Sequence, residues 1–152
     1  MSHDLSHDID TDTEAATDMV DVLTREECLR HLAAGSVGRV LLSSRALPAA
    51  LPVRYSLLDD RILFWADPRG HPAAIADKTV LGFQADDIDR TTHEGWSVMI
   101  VGRASYVRQS EAAASLEDGT PRGWAAASGP LIALSLDLVN GRRLASPPAV
   151  EP

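Results

Sequence analysis

The run Glu94-Gly95-Trp96-Ser97-Val98-Met99-Ile100-Val101-Gly102-Arg103-Ala104 constrains this chain more than any other. Its apolar stretch reads as a strand, yet it opens on a Gly-Trp pair and carries a second glycine inside. A glycine within a strand has no side chain to pack, so it marks a bulge, or a close approach by a ligand or by another backbone. Trp96 has two uses open to it. Its ring can lie against a flat ligand, or it can fill a barrel core, since aromatic residues are enriched in strands for packing reasons.

Around this run the chain alternates short apolar stretches with turn signals. Thr24-Arg25-Glu26-Glu27 is a capping box, and Cys28, Leu29, Leu32 and Ala33 recur at helical spacing, so a short helix is predicted near 24–34 with Gly35 ending it. Strands are predicted over 38–43, 50–57, 61–66, 79–85, 96–107 and 131–138. Pro52 implies an edge or bulged position in the second of them, because it has no amide to give to a ladder. Asp59-Asp60 is a tight turn, Asp67-Pro68-Arg69-Gly70-His71-Pro72 a loop before a short helical stretch at 73–77, and Asn140-Gly141 a turn. Ser110 is placed to cap a second helix, and the glycine-rich stretch around Trp124 to fold over as a lid. About six strands at short spacing, joined mostly by turns, predict a mainly β protein with short flanking helices. The architecture expected is a six-stranded antiparallel barrel.

The length of 152 residues suits one domain with a sizeable core. The formal charge of -8 is concentrated at one end: residues 1–21 hold 7 of the 22 acids and no Lys or Arg, leaving 15 acids against 14 basic residues. The expected layout is therefore a disordered acidic tail over 1–21, one domain over 22–146 and a loose Pro-rich end over 147–152. The near-neutral body has no basic stripe, so nucleic acid is not expected as a partner. No apolar run reaches eighteen residues and no basic-then-apolar leader is present, so the expectation is a cytoplasmic protein without membrane contact.

Metal chemistry has little support. Cys28 is the only cysteine, which excludes an internal disulfide and a multi-cysteine metal site. His3 and His7 are spaced i, i+4, but nothing holds a helix there. Asp86, Asp87 and Asp89 lack the glycine and the bidentate glutamate of a calcium loop, so a solvated turn is expected. His93-Glu94 offers an acid–base pair beside Trp96, or a loop pair that takes no part.

The order of these features resembles a known family. The capped helix with Glu27-Cys28-Leu29 precedes Val37-Gly38-Arg39-Val40, then Pro52-Val53-Arg54-Tyr55, then the Asp turn into Ile62-Leu63-Phe64. A glycine-containing loop, a strand ending in Asp86-Asp87, the Gly95-to-Ala104 run and Asn140-Gly141-Arg142-Arg143 follow. Over about residues 22–144 the chain is similar to the pyridoxamine 5'-phosphate oxidase-like flavin-binding split barrels. The small actinobacterial members related to nitroimidazole-resistance proteins are the nearest in pattern.

The resemblance implies a six-stranded split barrel that forms a homodimer, with flavin mononucleotide (FMN), or a deazaflavin in its place, in a groove at the dimer interface. It implies that Pro52, Val53, Arg54 and Tyr55 run along one side of the ring system. Phe64, Trp65 and Ala66 would approach the ribityl chain and phosphate, and Trp96 and Ser97 would contact the cofactor from the other subunit or from the opposite wall. In the family a hydroxyl-plus-lysine sequence usually holds the phosphate. Here Arg69, Gly70 and His71 stand in its place: Arg69 can bind phosphate bidentately and His71 can donate, while Pro72 removes an amide. Arg54 departs from the neutral polar residue common there and suits either an anion or a dimer salt bridge with Asp86 or Asp87.

The implied activity is a flavin- or deazaflavin-dependent oxidoreductase acting on a small electron-poor substrate. The alternative is a non-catalytic protein that binds or senses a flavin-like ligand or haem. A third reading is a structural dimer with an empty groove.

Overall fold

The structure, a computed structural model, describes residues 20–66, 75, 77–108, 110–112, 114 and 129–146. Its elements are β1 (Val20–Val22), α1 (Arg25–Ala34), β2 (Val37–Ser44), β3 (Leu47–Leu58), β4 (Arg61–Trp65), β5 (Val80–Ile88), β6 (Gly95–Tyr106), β7 (Leu131–Ser135) and β8 (Leu138–Leu144). Neighbouring strands are antiparallel throughout. Six of them close a ring in the order β2, β3, β4, β7, β6, β5. β8 and then β1 extend the sheet from the far side of β6.

The two longest strands make the barrel split. β3 pairs with β2 through Arg54 and with β4 from Tyr55 onward. β6 pairs with β8 through Val101 and with β7 from Ala104 onward. Gly102 sits at the second fork, and a Cβ there would collide with the Ser135 carbonyl. Gly95 at the start of the same strand would likewise drive a Cβ into the Asp87 carbonyl. Both glycines of the opening run are thus explained by another backbone coming close.

The hairpins β2–β3 and β3–β4 turn through Arg45-Ala46 and Asp59-Asp60. All four residues have positive φ, at 52°, 63°, 51° and 56° respectively. That is the backbone of the mirror-image turns whose twist matches paired strands. Pro52 lies on the part of β3 that pairs with β2 alone, the edge position its missing amide requires.

α1 starts as its sequence predicts. The Glu27 amide donates to Thr24 Oγ1 at 3.2 Å, and the Thr24 amide donates to Glu27 Oε1 at 3.0 Å. The Thr24 amide first, and then its hydroxyl, hold the Glu27 carboxyl below its usual range. The helix ends at Gly35, whose backbone is extended (φ −87°). Glycine is needed there for space, because a Cβ would stand 2.5 Å from the Tyr55 hydroxyl.

Inside the ring, Val40, Tyr55, Ile62, Phe64, Leu81, Phe83, Val98, Ile100, Ile132 and Leu134 are buried, with Cys28 and Leu32 of α1 closing one end. Tyr55 and Phe83 meet edge to face at 4.9 Å. Burial pushes the Cys28 thiol up, as befits a packed structural group. A smaller cluster of Leu63, Ala112, Leu131 and Ala133 lies outside the ring against β4 and β7.

Four expectations are corrected. Asn140-Gly141 lies inside β8, not in a turn: Gly141 pairs with Val98, and a Cβ on it would be 2.6 Å from Cys28 Sγ, so the glycine makes room for α1. The expected tail boundary at residue 21 falls inside β1, where Val20 and Asp21 pair with Leu144 and Arg143. The last predicted strand, 131–138, breaks at Leu136-Asp137 as the chain passes from β7 to β8. Ser110 lies within the second helical turn and does not cap it, because the Ala112 amide donates to the Arg108 carbonyl. The expectations for 1–19, the helical stretch at 73–77, the lid around Trp124 and the end at 147–152 lie, for the most part or wholly, outside the described residues.

Candidate functional site

Successive strand residues face opposite sides, and directly paired residues share a side. On β3, Tyr55 pairs with buried Phe64 and Leu51 with buried Val40, so odd-numbered residues there point inward. Pro52 and Arg54 point outward. On β6, Val98 and Ile100 are buried, which puts Trp96 on their side and Ser97, Met99 and Val101 outside.

The residues expected to line one ligand are therefore divided by the pleat. Val53, Tyr55, Phe64, Ala66 and Trp96 belong to the inner side, while Pro52, Arg54, Trp65 and Ser97 belong to the outer. Tyr55 and Phe64 are fully buried, and Ala66 is buried with them in the core, so their side chains offer no surface to a ligand. The Tyr55 hydroxyl donates to the Leu32 carbonyl at 2.7 Å. Trp65 packs outside the ring against the small cluster on β4 and β7, and its buried Nε1 has no acceptor among the described residues. Arg69, Gly70 and His71 lie outside the described residues.

The outer face of β3, β2, β5, β6 and β8 forms rows across the sheet. One row reads Pro52, Arg39, Gln84, Met99, Asn140, and its neighbour along the strands reads Leu41, Gly82, Val101, Leu138. Leu41, Gly82, Met99 and Val101 are half-buried and make an apolar floor, opened at its centre by Gly82. A Cβ on Gly82 would meet Leu41 Cβ at 3.0 Å and Met99 Cε at 3.4 Å.

Beside the floor runs a polar network. Arg39 Nη1 donates to Gln84 Oε1 at 3.4 Å, and Gln84 Nε2 donates to Asp86 Oδ2 at 2.7 Å and to Ser97 Oγ at 3.3 Å. Arg39 Nη1 is also 3.9 Å from Asp86 Oδ2. Within one chain, then, Asp86 is paired with Arg39 and not with Arg54. Arg54 stands opposite Val37 on the same outer side. Sequence reading had no claim on Arg39, Leu41, Gly82, Gln84 and Met99 as site residues, although the alternation of β2, β5 and β6 carries them.

Trp96 faces elsewhere. Its ring stacks on His31 of α1, with centroids 4.8 Å apart and planes 23° from parallel, and it packs against the main core. Both readings of this residue meet here, because its free part also lines a cleft of about 300 Å³ with Ala34, Gly35, Ser36, Val37, Asp86 and Asp87. The cleft exists because the β2–β5 ladder stops at Arg39 and Gln84, while β5 runs on to Ile88.

His93 and Glu94 are exposed in the turn between β5 and β6. Asp89 organises that turn by accepting from the Thr91 and Thr92 amides at 2.8 Å each, which holds its carboxyl low. Among the described residues no cluster of three or more His, Cys, Asp or Glu is placed to hold a metal. No described helix is long and apolar enough to cross a membrane.

Comparison with known proteins gives the setting. Residues 24–143 match the family model described as pyridoxamine 5'-phosphate oxidase. An uncharacterized protein of Mycobacterium tuberculosis, Rv0080, is 30% identical over 136 residues, covering 86% of this chain and 89% of its own. Among solved structures, the FAD binding protein from Mycobacterium smegmatis superposes with a TM-score of 0.68 at 21% identity, over 82% of this chain and 98% of that one. The FAD and heme binding protein from the same organism gives 0.65 at 15% identity, over 88% and 77%. At these identities the structures establish a shared fold.

Proposed function

The chain belongs to the pyridoxamine 5'-phosphate oxidase family, and on that premise we propose that it is a flavin-dependent oxidoreductase acting on a small electron-poor acceptor. The observation that carries this reading is the outer face itself. A flat ring system requires an apolar floor with polar groups at its rim, and Leu41, Gly82, Met99 and Val101 form such a floor with Gln84 and Ser97 beside it. Arg39 and Arg54 border the face and can meet a phosphate through the planar donor geometry of guanidinium. The residues present thus fit a flavin.

Bound there, FMN, or a deazaflavin in its place, supplies hydride transfer to the acceptor. The chain's own part is to hold the ring flat on the floor, to keep its polar edge on the Gln84 amide and Ser97 hydroxyl, and to anchor the phosphate. A second copy of the chain is proposed to cover the face, as the exposed Val37, Val80 and Leu138 around it would favour on burial. The names of the mycobacterial structures add FAD to the cofactors for comparison.

A second reading, a protein that binds a flavin or haem without turning it over, is favoured by one observation. The carboxylate nearest the floor, Asp86, is committed to Gln84 and Arg39, so it is poorly placed to pass a proton. One series of measurements separates the readings. Purified protein is titrated with FMN, FAD and a deazaflavin while absorbance is followed, and the bound form is then offered a nicotinamide and a nitroaromatic acceptor. Saturable binding with acceptor reduction supports the oxidoreductase, and binding without turnover supports the carrier. Absence of binding to all three at micromolar concentration sinks both.

A further inference from the structure

The cleft beside Trp96 is chemically unlike the outer face, and its lining points to a different ligand. From α1 come Ala34 and the Gly35-Ser36 backbone. The last carbonyls of a helix carry the negative end of its dipole. Those of His31 and Leu32 are taken by the Gly35 amide and the Tyr55 hydroxyl, which leaves the end of α1 at Ala34 beside the cleft. From β5 come Asp86 and Asp87, on opposite faces of the strand: Asp87 pairs with Trp96 and shares its side, while the Asp86 carboxylate is held by Gln84 and Arg39 on the other. From β6 comes Trp96, held in place from behind by His31. Among the described residues the lining contains no Lys or Arg. Of the two carboxylates Arg39 meets Asp86, at 3.9 Å, and among the described residues no ion pair reaches Asp87.

An aromatic wall and the Asp87 carboxylate meet on one side of a cleft of about 300 Å³, with Asp86 and the end of α1 along its border. We infer that this cleft binds a small organic cation, an ammonium or guanidinium whose apolar part lies along Trp96 and whose charge faces Asp87. The carboxylates set the sign of the ligand and the ring sets its shape, since a cation gains from the indole face as well as from the acids. The same lining repels a phosphate. The site is therefore separate from the proposed flavin face, and it stands or falls independently of that reading.

The test is a titration of the cofactor-free full chain with benzylammonium and, in parallel, with benzyl alcohol, which matches it in size without the charge. The readout is the indole N–H peak of Trp96 in a nitrogen–proton correlation spectrum, identified among the three tryptophans by its loss in Trp96→Phe. Benzylammonium should shift this peak saturably and bind at least about tenfold more tightly than benzyl alcohol. Asp87→Asn should weaken benzylammonium at least about fivefold and leave benzyl alcohol unchanged. Asp60→Asn, on the distant β3–β4 turn, should leave both unchanged, which separates a local site from the general acidity of the chain. No shift with benzylammonium, equal affinity for the two probes, or full affinity in Asp87→Asn overturns the proposal.

Discussion

Tyr55 and Leu32 are joined across the end of the barrel: the phenol, fully buried, donates to a last-turn carbonyl of α1 at 2.7 Å. This bond fixes the helix that supports Trp96, and it is the shorter of two bonds to that carbonyl, which the Gly35 amide also reaches at 3.2 Å. Tyr55→Phe keeps the ring against Phe83 and removes only the hydroxyl. The expected cost is about 1–2 kcal/mol, the loss of a buried hydrogen bond with its acceptor left in place. Urea denaturation of the two proteins near neutral pH measures it, and a difference within error would show that the bond contributes nothing net.

The same phenol makes stability fall in alkali. Burial pushes its pKa up to about 12, from an ordinary value of about 10. The folded protein thus holds the phenolic proton more tightly than the unfolded chain does. Its contribution is complete below pH about 10 and is lost as pH rises through about 12, up to about 3 kcal/mol in all. Denaturation midpoints followed between pH about 9 and about 11 should fall more steeply for the native chain than for Tyr55→Phe. Parallel curves would place the alkaline loss elsewhere.

Gly102 is the residue that lets β6 leave one sheet for the other. A methyl group there would collide with the Ser135 carbonyl, and Ser135 Oγ meanwhile accepts from the Arg103 amide at 2.9 Å. Neither backbone can retreat without breaking a ladder. Gly102→Ala is expected to cost about 3 kcal/mol or more, at the upper end of what overpacking does. Thermal unfolding checks this, and a shift of only a degree or two would mean that the fork can open freely.

The part of the fold legible in sequence was whatever repeats locally or depends on order. The capping box at Thr24 and Glu27, the apolar runs and the sequence of landmarks were enough to place the helix, the six barrel strands and the family. What escaped was set by contacts distant along the chain. Asn140-Gly141 has the composition of a turn, but α1 and Cys28 press on it and the glycine serves the packing. The division of the candidate site between two faces was hidden for a related reason. Contiguous residues such as Val53-Arg54 or Trp96-Ser97 look like one ligand wall in a sequence, whereas the pleat sends them to opposite faces. A period of two along β2 and β5 is enough to put Arg39 with Leu41, and Gly82 with Gln84, on a common side of each strand.

Ala46 is held at φ 63°, where an alanine is strained. A left-handed backbone costs a residue with a Cβ about 1–2 kcal/mol, against which glycine loses somewhat more freedom on folding. Ala46→Gly should therefore raise stability by about 0.5–1 kcal/mol. Asp60 sits at φ 56° in the matching turn, but aspartate tolerates this region better, so Asp60→Gly should gain less. The ordering of the two melting temperatures is the check, and a larger gain at Asp60 would refute the strain argument.

Arg54 distinguishes a phosphate anchor from a residue that only braces the sheet. It points to the outer face beside Val37, while Asp86 is already paired with Arg39. If it meets the phosphate, Arg54→Gln should weaken FMN about tenfold, the loss of a charge-assisted hydrogen bond worth about 1.5 kcal/mol. Lumiflavin has the same ring without the phosphate, so its affinity should not change. Fluorescence titration of both flavins against both proteins gives the comparison. Equal weakening of FMN and lumiflavin would mean that Arg54 shapes the floor under the ring, and no change in either would place the phosphate away from this residue.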